Sequence, residues 1–229
     1  MAKVAILRFP GTWSDRDFEH ALSLVGAVTE ILWHEDVRLS GFDAAIVPGG
    51  FSYGDYVRAG AIARLSPAVR ELRRFAEEGG PVLGSCNGFQ ILCEAGLLPG
   101  VLRPNATLSF VCRDVRVRVE RAQVPFTSRC EHGQQLVVPV KHGEGSWFCP
   151  PELLAELERD GQVVLRYEAG ENPNGSVADV AGVCNRDGNV MGLMPHPEHA
   201  VDPLLGPSDG ALILASLVDA ARDRSAVPV

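Results

Sequence analysis

Apolar positions change their spacing several times along the chain, and each change marks an element. Val4 to Phe9 is a short apolar run closed by Pro10-Gly11, and behind it Phe18, Ala21, Leu22 and Val25 recur at i, i+3, i+4 and i+7 before Gly26. A continuous apolar run stopped by turn residues reads as a buried strand, and the three-and-four spacing reads as one face of a helix. Val28 to Trp33 and Ala44 to Val47 read as two further strands, the second ended by Pro48-Gly49-Gly50, so the chain opens as β-α-β. After a polar-aromatic loop from Phe51 to Arg58, Ser66 as N-cap and Pro67 at the first helical position start a helix. Val69, Leu72, Phe75 and Ala76 form its inward face, and Gly79-Gly80 ends it. Pro81 to Gly84 is a fourth strand, with another helix after Cys86.

The middle of the chain changes character. Phe110 to Val119 alternates, with Val111, Val115, Val117 and Val119 on one side, and Leu136 to Val140 is another strand-like run, so antiparallel hairpins are expected there. Glu152 to Leu157 predicts a short helix, Val163 to Tyr167, Val180 to Cys184 and Val190 to Met194 predict strands, and Leu212 to Ala221 predicts a closing helix. The pattern is that of an α/β protein: a mostly parallel sheet with helices on both faces plus a smaller antiparallel hairpin region. With no internal repeat and no long linker, residues 1–229 read as one domain. Ligands of such sheets sit beyond the carboxyl ends of the strands, which directs attention to the loops after Val47 and Leu83.

Composition narrows the function class. A 229-residue chain with 46% hydrophobic residues can bury a full core, and its 22% charged residues are ordinary for a globular domain. Twenty-nine acidic against 21 basic residues give a net charge of -8, which argues against a phosphate backbone as partner. No uncharged apolar run approaches the roughly 18–20 residues that span a bilayer, and Val4 to Leu7 is too short for a signal-peptide core, so the expected place is the cytoplasm. The cysteines at 86, 93, 112, 130, 149 and 184 lack zinc-knuckle spacing and are too sparse for a disulfide scaffold, so most read as small buried residues.

Cys86 stands apart. It is the centre of Gly84-Ser85-Cys86-Asn87-Gly88, between an apolar strand and a helix, which has the form of a nucleophile elbow. Small residues two positions either side let strand and helix approach, and the helix N-terminus favours thiolate over thiol. The Asn87 N–H is placed to donate to a developing oxyanion. The same glycines would also serve simple tight packing, with Cys86 as filler. A cysteine nucleophile needs a base, and Met194-Pro195-His196-Pro197-Glu198 follows a predicted strand. The two prolines are expected to hold this segment extended, so that His196 and Glu198 point to the same side and the carboxylate can orient the imidazole. A zinc pair through His196 and His199 competes, but Pro197 argues against the helix that would align them; a purely structural turn also competes. The Pro48-Gly49-Gly50 loop exposes backbone N–H groups and could supply a second oxyanion donor, while neither phosphate-loop nor dinucleotide glycine motif occurs.

Gly-x-Cys-x-Gly after a strand, Pro-Gly-Gly after an earlier one and a late His-Pro-Glu resemble the class I, triad-type glutamine amidotransferases. Phe9-Pro10-Gly11, Asp15-Arg16-Asp17, the run from Gly49 to Tyr56, Gly60 to Ala63, Cys86 to Gln90, His142 to Gly145, Asn174-Gly175-Ser176 and Met194 to Glu198 extend the resemblance across essentially the whole chain. They are similar to the PurQ-type glutaminase subunits of phosphoribosylformylglycinamidine synthase. The most specific parts are Phe51-Ser52-Tyr53-Gly54-Asp55-Tyr56 and Cys86-Asn87-Gly88-Phe89-Gln90. Departures fall at Trp13-Ser14, where Asn-Cys is expected, at Ala59, where Cys is expected, and at His199, where Arg is usual.

The resemblance implies a flavodoxin-like scaffold on which Cys86 attacks the side-chain amide of glutamine while the N–H groups of Gly50 and Asn87 hold the oxyanion. It implies that His196 protonates departing ammonia and then activates water, with Glu198 orienting it, and that Gln90 touches bound glutamine. His142 to Gly145 would wall the pocket or meet a partner. The implied partners are a large PurL-type synthetase subunit, which uses ATP and Mg and receives the ammonia to aminate formylglycinamide ribonucleotide, and a small PurS-type subunit; no cofactor or metal is implied on this chain. Rival readings are an amidotransferase serving another synthetase, a stand-alone cysteine hydrolase and a catalytically silent docking subunit.

Overall fold

A computed structural model describes residues 1–226. In chain order the elements are β1 (Lys3–Arg8), α1 (Asp15–Leu24), β2 (Val28–Trp33), β3 (Ala44–Val47), α2 (Pro67–Glu77), β4 (Val82–Ser85), α3 (Asn87–Glu94), β5 (Val101–Arg103) and β6 (Val111–Val119). They continue as β7 (Gln135–His142), β8 (Ser146–Phe148), α4 (Pro151–Arg159), β9 (Val163–Tyr167), β10 (Val180–Cys184), β11 (Val190–Leu193) and α5 (Gly210–Ala226). Nine strands form one sheet in the order β2-β1-β3-β4-β11-β10-β9-β6-β7, and β5 pairs with β8 apart from it.

The first five strands of that order are parallel neighbours, in the flavodoxin-like arrangement expected of β-α-β units. From β11 onward every pairing is antiparallel, so the expected hairpin region is a continuation of the same sheet. Burial on both faces explains why the early strands read as unbroken apolar runs. In β1, Val4 and Ile6 join a core with Phe18 and Leu22 of α1 and Leu214 and Leu217 of α5, while Ala5 and Leu7 join the opposite core with Leu72 and Phe75 of α2. The start of α2 follows its sequence signal, since the Ser66 hydroxyl accepts from Ala68 N–H at 3.2 Å and Pro67 occupies the first turn.

The far edge of the sheet returns to its middle. Strand β7 lies four strands from β11 in sheet order, roughly 19 Å away if the sheet were flat, yet the His196 N–H just past β11 donates to Pro139 O of β7 at 2.8 Å. The antiparallel half therefore curls around α5, consistent with Val138 and Val140 of β7 sharing a core with Ile213 and Leu217. All six cysteines are free, and Cys112 alone among them is exposed. Among the described residues, no helix is long and apolar enough to cross a membrane.

Candidate active site

The site forms where loops leave the carboxyl ends of β1, β3 and β4, beside the point where strand order reverses. The loop after β1 staples the loop after β3: Trp13 and Ser14 N–H donate to Gly49 O at 3.0 and 3.2 Å, and Phe51 N–H donates to Gly11 O at 2.9 Å. That contact requires glycine at position 50, where φ is +149° and a Cβ would stand 2.6 Å from Gly11 O. Among the described residues, the Gly50 N–H has no partner within the chain, so it is free to donate.

Cys86 sits between β4 and α3 with φ +51° and ψ −109°, a conformation that costs a β-carbon-bearing residue on the order of 1–3 kcal/mol. The turn is tight because α3 lies directly on β3: a Cβ on Gly88 would overlap Val47 O, and one on Gly84 would stand 2.8 Å from Gly88 C. The expected elbow is thus present. It aims the thiol away from the sheet, where Sγ reaches Lys141 O at 3.7 Å, and leaves the Asn87 N–H at the unpartnered start of α3.

His196 Nδ1 lies 2.7 Å from Glu198 Oε1, with both side chains buried, and the Ser85 hydroxyl donates to the other carboxylate oxygen at 3.3 Å. The route differs from the expected extended segment, because Pro197–His199 is a 3-10 turn. The tight turn achieves what extension was expected to, since proline suits a first helical position. His196 Nε2 is buried without a hydrogen bond, and its ring and Cys86 flank Gly49, where a Cβ would stand 2.7 Å from His196 Cε1 and 3.4 Å from Cys86 Cβ. Burial opposes a charge on His196, but the Glu198 carboxylate and the Cys86 sulfur outweigh it and raise the imidazole to about 10. Burial likewise opposes charge on Glu198, yet His196 holds its carboxyl below the ordinary range.

The same turn corrects the argument raised against a His196–His199 pair, since their rings stack at 5.0 Å. Ligand-capable atoms of His196, Glu198 and His199 lie within 4.8 Å of one another. Their hydrogen bonds are nevertheless those of a triad: Glu198 holds His196 Nδ1, while His199 has Lys141 Nζ 3.2 Å from Nδ1 and Asp17 Oδ2 3.0 Å from Nε2. An ammonium against one ring nitrogen and a carboxylate on the other suit a positioned side chain better than a cation ligand.

Two cavities meet at the thiol. The larger, about 450 Å³, opens past Trp13, Phe51 and Phe110, and a smaller one of about 130 Å³ runs inward between Gln90 and the 142–144 loop. Gln90 lines the smaller cavity, but its amide is engaged: Oε1 accepts from Asn87 Nδ2 at 2.8 Å, and Nε2 donates to Glu144 O at 2.5 Å. His142 walls the same space. Asn174 Nδ2 lies 3.0 Å from its Nε2, its Nδ1 is buried without a partner, and burial with the nearby His196 charge lowers it to about 3. Sequence reasoning did not single out Lys141 or the carboxylates of Asp55 and Glu144. The latter two lay inside the motif runs but were indistinguishable there from surface charges.

Comparison with known proteins accords with this geometry. A family model described as a CobB/CobQ-like glutamine amidotransferase domain matches residues 1–209. A protein of Rubrobacter xylanophilus named phosphoribosylformylglycinamidine synthase subunit PurQ is 57% identical, covering 96% of this chain and 99% of that one. One of the same name from Frankia casuarinae is 55% identical over 95% and 93%. A solved chain titled as the structure of PurLQS from Thermotoga maritima superposes with a TM-score of 0.88 at 39% identity, covering 95% of this chain and 98% of that one.

Proposed function

The chain belongs to the CobB/CobQ-like glutamine amidotransferase family, and on that footing we propose that it is the glutaminase subunit of a phosphoribosylformylglycinamidine synthase. It hydrolyses glutamine to glutamate and ammonia. The ammonia passes to a PurL-type synthetase subunit that uses ATP and Mg to convert formylglycinamide ribonucleotide to formylglycinamidine ribonucleotide in purine synthesis, with a PurS-type subunit in the complex. The whole chain acts as one amidotransferase domain in the cytoplasm.

The observation that carries the chemistry is a strained Cys86 facing a buried imidazole that a buried carboxylate holds at 2.7 Å. Sγ attacks the γ-carbonyl carbon of glutamine, and the oxygen takes the charge against the N–H groups of Gly50 and Asn87. The carbon–nitrogen bond then breaks, with the proton on His196 going to the leaving nitrogen, so ammonia departs and a γ-glutamyl thioester remains. His196, now neutral, takes a proton from water as its oxygen attacks the thioester, and glutamate leaves with Sγ restored. Glu198 is needed twice, to fix the ring and to stabilise its charged form.

The test is ammonia release from glutamine by the purified chain alone and then with synthetase subunits, formylglycinamide ribonucleotide and ATP. Strong stimulation by the full mixture is expected; fast turnover that ignores the partners would instead mark a stand-alone hydrolase. Cys86→Ala should abolish glutamine-dependent amination while sparing amination from added ammonia, and loss of both would assign Cys86 to assembly.

A further inference from the structure

His199 is a position where the chain departs from the motif run around it, and no step assigned to the triad uses its ring. Three elements converge there. The ring stands on the 3-10 turn Pro197–His199, Lys141 reaches it from β7 with Nζ 3.2 Å from Nδ1, and Asp17 reaches it from α1 with Oδ2 3.0 Å from Nε2. An ammonium group can only donate, so Nδ1 accepts and the ring hydrogen sits on Nε2, toward the carboxylate. Opposite charges at its two ends thus fix both the tautomer and the plane of the ring. The His199 side chain is 20% exposed against 51% for Asp17, so the ring is set into the wall while its outer clamp can be altered at the surface.

What the ring faces gives this clamp its use. His199 stacks on His196, with centroids 5.0 Å apart and planes 20° from parallel. The His196 imidazole is hydrogen-bonded at one atom only, by Glu198 at Nδ1, and its Nε2 has no hydrogen bond. A ring held through one such bond can still tilt about it, and the tilt swings Nε2 toward or away from Cys86. Gly49 limits the Cε1 edge, where a Cβ would stand 2.7 Å away, but contact at an edge does not set a plane. His199 supplies the missing constraint by covering a face. Asp17, Lys141, His196 and His199 all line the larger cavity, so removing the His199 ring would also bring solvent against that face.

We propose that His199 is a positioning residue for the reaction: its ring, clamped between Lys141 and Asp17, is the surface against which the His196 imidazole is aimed at Cys86. This rests on the glutaminase reading, in which His196 is general acid and then general base. The aim matters twice, for the proton delivered to the leaving nitrogen and for the proton taken from water, and neither transfer involves His199 itself. Loss of the ring is therefore felt in turnover and not in the capture of substrate.

Two rates test this. One is ammonia release from glutamine by the assembled complex with formylglycinamide ribonucleotide and ATP. The other is alkylation of Cys86 by iodoacetamide in the purified chain without glutamine, read by peptide mass mapping because Cys112 is also exposed. The thiolate is the reactive species, so this second rate reports how well His196 faces the thiol, independently of glutamine. His199→Ala should lower kcat about tenfold or more with KM for glutamine within about twofold of wild type, and should slow Cys86 alkylation by a similar factor. His199→Phe, which keeps a flat face but not the clamp, should recover about threefold of each loss. Asp17→Ala should lower kcat about threefold to tenfold, whereas Asp17→Asn, which keeps an acceptor for the Nε2 hydrogen, should stay within about twofold of wild type. A merely structural ring would lower the unfolding midpoint and leave both rates of the folded protein unchanged. That result, a change confined to KM, or an Asp17→Asn that falls as far as Asp17→Ala would overturn the proposal. If His199→Ala does not fold, the Asp17 pair decides alone. A wild-type complex that releases no ammonia from glutamine would refute the glutaminase reading, and the alkylation rates would still decide whether His199 aims His196 at the thiol.

Discussion

Glu198→Gln removes the charge behind His196 while preserving size and one acceptor oxygen for the His196 Nδ1–H. In the wild type, burial alone would push the imidazole below its ordinary 6.5, and the carboxylate at 2.7 Å is the leading influence that lifts it to about 10. Without that charge the ring should titrate well below 10, with only the Cys86 sulfur still opposing burial, and each pK unit lost removes about 1.4 kcal/mol of imidazolium stabilisation. Part of that loss falls on the transition state, where the ring must carry the proton destined for ammonia. A fall in kcat of about 10²–10⁴ is expected, the range of general acid–base contributions, with KM for glutamine little changed because Glu198 lines neither of the two cavities at the thiol. The assay is ammonia release by the assembled complex from pH 6 to 10, with ammonia-dependent amination as the control for assembly. Stability gives an independent check. Because the His196 value is raised on folding, its share of stability is complete below about 6.5 and is lost as pH rises through about 10; the depressed Glu198 carboxyl adds a share lost only in acid. The stability gap between wild type and Glu198→Gln should therefore be widest between about pH 5 and 6.5 and close toward pH 10. Activity within fivefold of wild type with an unshifted pH profile would refute the reasoning.

Two further outcomes are expected. Cys86→Gly should be more stable than Cys86→Ala by about 1 kcal/mol in urea unfolding, because glycine accepts φ +51° without a Cβ penalty; equal stability would show that the elbow is unstrained. Gly88→Ala should cost 2 kcal/mol or about that in the same measurement and remove glutaminase activity, since the added methyl meets Val47 O in the backbone of β3, which cannot step aside.

The legible parts of the fold are those whose signals are local. The two-sided burial of β1 and β3, the Ser66-Pro67 helix start and the Gly84-x-Cys86-x-Gly88 turn each sit within ten residues, and each appears at its expected place. The three-residue strands β5 and β8 were not foreseen, because a pair that short has no period to read. The left-handed Tyr53 and Asp55 were also hidden, since nothing in their side chains requires that backbone; Asn87, more than thirty residues later, holds the turn. For the candidate site, the grouping of Cys86, His196 and Glu198 was readable from motif spacing. The inner cavity was not, because its walls come from segments near residues 50, 90 and 142 that only the curled sheet brings together.

That curl has a consequence for how the enzyme comes into being on the ribosome. The proposed nucleophile is laid down at residue 86, the strand that receives the His196 backbone at residues 135–142, and the proposed base with its carboxylate at 196–198. A nascent chain that has completed β1 to α3 already holds Cys86 and the Gly49-Gly50 loop, yet contains neither His196 nor Glu198. If His196 and Glu198 act as proposed, competence arrives only when the far edge has folded back and residues 196–198 have emerged. On the proposed mechanism, truncated products of interrupted translation that stop short of residue 196 carry a thiol but no base, and release no ammonia.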